Sequence, residues 1–367
     1  MSTAPGRKSS GVVRTPGTRT RPDSARPVRF AGLVTSGGLF ALLVVAAGLV
    51  ATIVGSDVTK ASSVAGIVAP PWIVTIGIPV FRTLLDLSAV AVTGLGLLSK
   101  MVGFDRPERT EAVVGRSRSY AVWASALWAI SALVSVVLLS VELDPTRTVT
   151  PASIWSYVSN IAAGKGLLMS AGCALLSLWL ARVAVRHGEK VPAELRVGIA
   201  LFGLLPLPLT GHAANWYYHD LSMVSMELHV VAATAWAGGL AALVIFLARE
   251  PALLAEALPR FSKLATWCVF VVGVTGVFNG LLELALSPIT QLPGSIVTTR
   301  YGVILLAKAV CMVIIAIIAV RVRTRILPLV VQKKATSVAL WCGWEIVTLA
   351  VAFGVAVVLT RASVTPF

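Results

Sequence analysis

The sequence predicts an all-α fold: a polytopic bundle of about nine transmembrane helices, N-terminus cytoplasmic and C-terminus outside. Three observations carry this. The residues are 57% hydrophobic and only 13% charged, where a soluble domain holds about 25% charged. Apolar runs close to the ~20 residues that cross the hydrocarbon core recur through the chain. Lys and Arg crowd into alternate loops, as the positive-inside rule requires.

Taken in order, residues 1–29 carry seven Lys/Arg against the single acid Asp23, among Pro, Ser, Thr and Gly. This composition buries nothing and reads as a disordered basic cytoplasmic tail. Apolar runs follow near 31–54, 72–99, 119–141, 158–181, 197–213, 223–248, 264–287, 301–320 and 338–360. The first is uncharged and longer than the apolar stretch of a secretory signal. None alternates with the period of two that a spanning strand needs. The runs group into an N-terminal four-helix membrane part (30–200), a core (201–334), and a last helix with a short outer tail (335–367). With the tail inside, the inner loops hold 24 basic residues, and the outer side holds Lys60, Arg147, Arg300 and Arg361.

The net charge of +15 therefore reflects topology, not affinity for nucleic acid. Cys173, Cys268, Cys311 and Cys342 fall singly in separate apolar runs, with no CxxC pair and no disulfide framework. No phosphate-binding GxxxxGK[ST] loop, nucleophile–base pair or carboxylate dyad occurs. The reading is a non-enzymatic membrane protein with no ATP-driven step. No internal repeat marks an inverted-repeat transporter.

Charges inside membrane helices are costly, at about 2.5–3.5 kcal/mol on insertion scales, and call for a partner or a task. Arg82 and Asp86, one turn apart, can pair locally. Lys165, Glu227, Asn279, Glu283 and Lys308 fall in the outer halves of four other spans and are expected to line a polar cavity. Structural ion pairs between these Lys and Glu residues are the plainer alternative. Glu345 lies toward the inside.

The soft donors gather between Gly211 and Leu240. His219, Met223 and Met226 follow at i, i+4 and i+7, one helical stripe. His229 borders the stripe, and His212 stands at the end of the preceding span. Trp236 lies two turns beyond His229, and Gly238 with Gly239 permits close helix packing. Pro206 and Pro208 should distort the fifth span just below His212. Thioether and imidazole donors suit Cu(I). His212, His229 and Glu227 would serve zinc. Haem b held by two of these histidines is a third option. Met at helical spacing also fills cores, and an interfacial His among Tyr217 and Tyr218 is ordinary. His187 belongs to a basic inner loop.

The series His229, Trp236, Gly238, Gly239 and Leu240, then Arg260-Phe261-Ser262, Gly276 with Asn279, and Thr299, Tyr301 and Gly302 with Lys308, resembles the copper resistance D (CopD) family of membrane proteins. The likeness covers about 210–330. The resemblance implies a bacterial cytoplasmic-membrane protein that handles copper, importing it or passing it to copper enzymes. The actinobacterial type can add a second membrane domain linked to cytochrome oxidase assembly; this chain is expected to end before one. The expected site is His212, His219, Met223, Met226 and His229, with copper as Cu(I). The expected partners are the lipid bilayer and an extracytoplasmic copper chaperone or oxidase assembly factor, with no nucleic acid. The alternatives are a haem-binding electron-transfer membrane protein and a metal-free assembly scaffold.

Overall fold

The computed structural model describes residues 32, 34, 36–60, 68–103, 107–146, 148–210, 219–332 and 338–365. The helices are α1 (Gly38–Val58), α2 (Trp72–Val102), α3 (Pro107–Leu143), α4 (Pro151–Asn160), α5 (Ala162–His187), α6 (Ala193–Phe202), α7 (His219–Leu247), α8 (Pro251–Leu286), α9 (Arg300–Arg321) and α10 (Val338–Leu359). α9 runs on through a π-helical turn, Val322–Ile326, into Leu327–Val331. Among the described residues eight helices are long and apolar enough to cross a membrane: all of these except α4 and α6. The protein is a multi-pass membrane protein.

The fifth apolar run does not form a long helix. α6 stops at Phe202 after ten residues, and the chain continues as turns and a 3-10 segment, Leu207–Thr210. The cause is Pro206 and Pro208, which supply no N–H to a helical ladder and whose rings clash with the preceding turn. The segment nevertheless climbs through the bundle. Glu194 at its start pairs with Lys100 near the end of α2, and this partner holds the Glu194 carboxyl below its usual range. At its far end, the Pro206 carbonyl lies against Gly166, near the start of α5; a Cβ there would stand 2.8 Å from it. Irregular backbone at membrane depth is tolerated where protein covers it, and Leu204 and Leu207 are fully buried.

Helix ends sort into two sides. The Lys100–Glu194 pair, and Arg260 donating to the Met101 carbonyl at 2.9 Å, bring the starts of α6 and α8 to the end of α2. Arg361 pairing with Glu142, and the Tyr301 N–H donating to the Ser363 carbonyl at 3.1 Å, bring the end of α10 to the end of α3 and the start of α9. The first is the side of the Lys/Arg-rich loops, and is called the basic side below.

α7 is the central helix, with two thirds of its apolar window buried, against 17% for peripheral α1 and α9. Trp236, Leu240, Leu243 and Leu247 recur every three or four residues and are all buried, which is one helical face. α7 crosses α2 at Gly238 and Gly94. A Cβ on Gly238 would stand 3.0 Å from the Gly94 nitrogen and would collide with the Val90 carbonyl. Gly239 faces Met101 and Phe261 in the same way. Helices in lipid associate largely through such small-residue contacts, because apolar burial gives them no net drive.

Candidate metal-binding cavity

A cavity of about 170 Å³ opens on the half of α7 away from the basic side. Its walls come from α2, the broken segment after α6, α7, α8, α9 and α10. Its polar groups include Arg82, Asp86, His229, Asn279, Glu283, Tyr301 and Lys308. A second cavity, about 360 Å³, lies between α7, α8 and α9, and Met226, His229, Asn279, Tyr301, Lys308 and Met312 line both.

His229 is anchored through its Nδ1. Its Nδ1 lies 2.9 Å from Thr275 Oγ1. The single Thr275 hydroxyl proton goes to the Val271 carbonyl, at 2.5 Å. With that proton on the Val271 carbonyl, the hydroxyl oxygen is the acceptor, and a neutral ring then carries its proton on Nδ1 and keeps a lone pair on Nε2. A hydrogen-bonded second nitrogen is the usual condition of a metal-binding histidine. Gly276 makes room for the ring, since a Cβ there would stand 3.2 Å from His229 Cε1.

Asn279 is 5% exposed, and among the described residues neither its amide nitrogen nor its oxygen has a hydrogen-bond partner. A buried polar group left unsatisfied costs about 1–3 kcal/mol, a cost that a water or a polar ligand in the cavity would remove. Arg82 Nε reaches both carboxylate oxygens of Asp86, at 3.2 and 3.3 Å, and the pair sits in the cavity wall.

The structure redistributes the residues expected at this site. His212 lies outside the described residues, as does the side chain of His219, which opens α7. Met223 is half-buried, a turn outward from Met226, and does not line either cavity. Lys165 does not join the polar cavity: it lies on the exposed face of α5, because the neighbouring Gly164 and Gly166 are the residues that pack inward. Glu227 is half-buried and lines neither cavity, since it falls on a different face of α7 from Met226 and His229. Asn279, Glu283 and Lys308 do converge on the cavity with His229. Trp236, Gly238 and Gly239 lie at the centre of the packing around α7.

Sequence reasoning missed four participants. Thr275 lies one turn before Asn279 and two before Glu283, so extending that stripe reaches it. Met312 lies one turn after Lys308, on a stripe already marked by Tyr301 and Lys308. Arg82 and Asp86 were expected to pair but not to face the site.

No group of three or more His, Cys, Asp or Glu able to hold a metal occurs among the described residues, so a zinc set built on His229 and Glu227 has no geometric support there. His229 is the one histidine lining the cavity among the described residues, and the second axial ligand of a bis-histidine haem would have to come from His212 or His219. Imidazole and thioether donors line the cavity together with the carboxylates of Asp86 and Glu283.

A third cavity, about 200 Å³, lies on the basic side and is lined by Arg323, Cys342 and Glu345 among others. It shares Trp236 with the first, so one buried indole stands between the two.

Two family descriptions match consecutive parts of the chain. "Copper resistance protein D-like, N-terminal domain" matches residues 73–220, and "Copper resistance protein D" matches residues 255–359. Together they cover more than half of the sequence. The chain belongs to the copper resistance protein D family. The first match runs from α2 to the start of α7, and the second from α8 to the end of α10, so the cavity is walled by both matched parts. Among curated proteins the chain is similar to the "Copper transport protein CutJ" of Bacillus subtilis (strain 168), 35% identical over 117 residues, which is 30% of this chain and 20% of that protein. The similarity thus spans only a fifth of the relative's length. No solved structure matches the chain.

Proposed function

We propose that this member of the copper resistance protein D family is a copper-handling membrane protein that binds Cu(I) as cargo in the main cavity, with Met226 and His229 as ligands. The side away from the basic loops faces outward, on the strength of the 24-to-4 division of basic residues. Copper enters there, past the first turns of α7 where His219 and Met223 stand, and is imported or handed to copper enzymes. The role is carriage, not catalysis.

One observation carries this reading: an imidazole whose Nε2 lone pair is kept available by the Thr275 contact, in a cavity it shares with a thioether, at about 15 Å from the outer start of α7 by the rise of a helix. Soft thioether and imidazole donors select Cu(I) over harder ions. The name of the Bacillus subtilis relative, a copper transport protein, agrees with it. The test is copper stoichiometry of the purified protein under reducing conditions, beside a His229→Ala variant. The variant should lose its bound Cu(I) and, in proteoliposomes, its copper accumulation. Equal stoichiometry in the two proteins would refute the assignment.

A further inference from the structure

We propose that Met312 of α9 is the third ligand, so that Cu(I) sits in a three-coordinate site of two thioethers and one imidazole that bridges α7 and α9. This rests on the copper reading above and replaces part of its expected ligand set. Three observations support it. Met226, His229 and Met312 line both the main cavity and the cleft between α7, α8 and α9. Met312 lies at a similar depth to His229: at a rise of about 1.5 Å per residue, His229 is about 15 Å from the start of α7 and Met312 about 18 Å from the start of α9. Met223, the methionine that continues the α7 stripe outward, lines neither cavity.

The consequence is mechanical as well as chemical. α9 is a peripheral helix, only 17% buried over its apolar window, with the cleft on its inner flank. A metal held by donors from both walls links α9 to the central helix and narrows the cleft.

X-ray absorption at the copper edge of the full-length, Cu(I)-loaded protein counts sulfur ligands directly. The wild type should show two sulfurs and one nitrogen. Met312→Leu and Met226→Leu should each remove one sulfur and weaken binding tenfold or more, while Met223→Leu should change neither. Leu is a near-isosteric replacement that a packed helix tolerates, and thermal unfolding of each variant reports whether the fold is kept. Should Met312→Leu keep both sulfurs while His229→Ala abolishes binding, the copper reading survives and Met312 is not a ligand. Should the sulfur be lost in Met223→Leu instead, the assignment is overturned in favour of the α7 stripe. A wild-type protein that binds no Cu(I) removes both readings together.

Discussion

The Thr275 hydroxyl touches no metal, yet Thr275→Val should weaken Cu(I) binding by 10- to 100-fold. Val has the shape of Thr without the hydroxyl, so packing is preserved and one hydrogen bond is lost. In the native arrangement Nδ1–H of the 9%-exposed His229 donates to Thr275 Oγ1 at 2.9 Å. Without that acceptor, the buried N–H loses its side-chain partner, at a cost of about 1–3 kcal/mol where the Val272 backbone does not take it over. The ring regains the choice of the other tautomer, which puts a proton on Nε2, the nitrogen the proposed metal needs. Loss of such an outer contact typically costs 10–100-fold in metal affinity, and at about 1.4 kcal/mol per tenfold the two estimates agree. The assay is a competition titration against a chromophoric Cu(I) chelator, with Thr275→Ser as the rescue because Ser restores the hydroxyl. Equal affinities for Thr275→Val and wild type, in a protein where His229→Ala abolishes binding, would refute the tautomer argument.

Two further predictions concern the scaffold. Gly238→Ala places a methyl 3.2 Å from Gly94 Cα and in collision with the Val90 carbonyl; neither backbone can yield cheaply, so destabilisation of about 1–3 kcal/mol is expected, read as a lowered thermal midpoint in detergent, and an unchanged midpoint would show that α2 and α7 are not locked there. Arg82→Met should cost about 3–5 kcal/mol by leaving the Asp86 carboxylate without its partner, and Arg82→Met with Asp86→Leu should recover most of that; a double variant no more stable than the single would show that the pair is not what Arg82 contributes.

The helical membrane fold was legible because hydropathy and loop charge are properties of whole segments, which one sequence averages well. The fifth span shows where averaging fails: its run is apolar enough to cross, but Pro206 and Pro208 decide its conformation one residue at a time. For the site, the stripe on α7 gave Met226 and His229, since i to i+3 spacing is visible along a single helix. Met312 continues the stripe of Tyr301 and Lys308 on α9, but that stripe joins Met226 and His229 only through the packing of α9 beside α7 and α8. Lys165 and Glu227 were assigned by depth alone, which is a coordinate along the helix and says nothing about the face. Rotation about the helix axis is set by neighbours, and the small residues on either side of Lys165 turn it outward.

The order of polar groups along the membrane normal makes sense of the whole site under the copper reading. Glu283 and Tyr301 lie nearest the ends of α8 and α9 away from the basic side, Asn279 and Met226 come next at a similar depth, and His229 and Met312 lie deeper. Oxygen and amide groups can replace the water of an arriving ion, whereas thioether and imidazole hold the dehydrated soft ion. Arg82, Asp86, Glu283 and Lys308, all lining the cavity, balance formally, so a monovalent cation is received by donor type more than by net charge. Below this set the path meets Trp236, 1% exposed and common to the outer and basic-side cavities. Glu345, in the basic-side cavity, is close enough to accept a hydrogen bond from the Trp236 side chain. On the proposed inward route, copper would meet this indole at the level where the soft ligands end, and the Trp236 side chain, and with it the Glu345 contact, would have to shift.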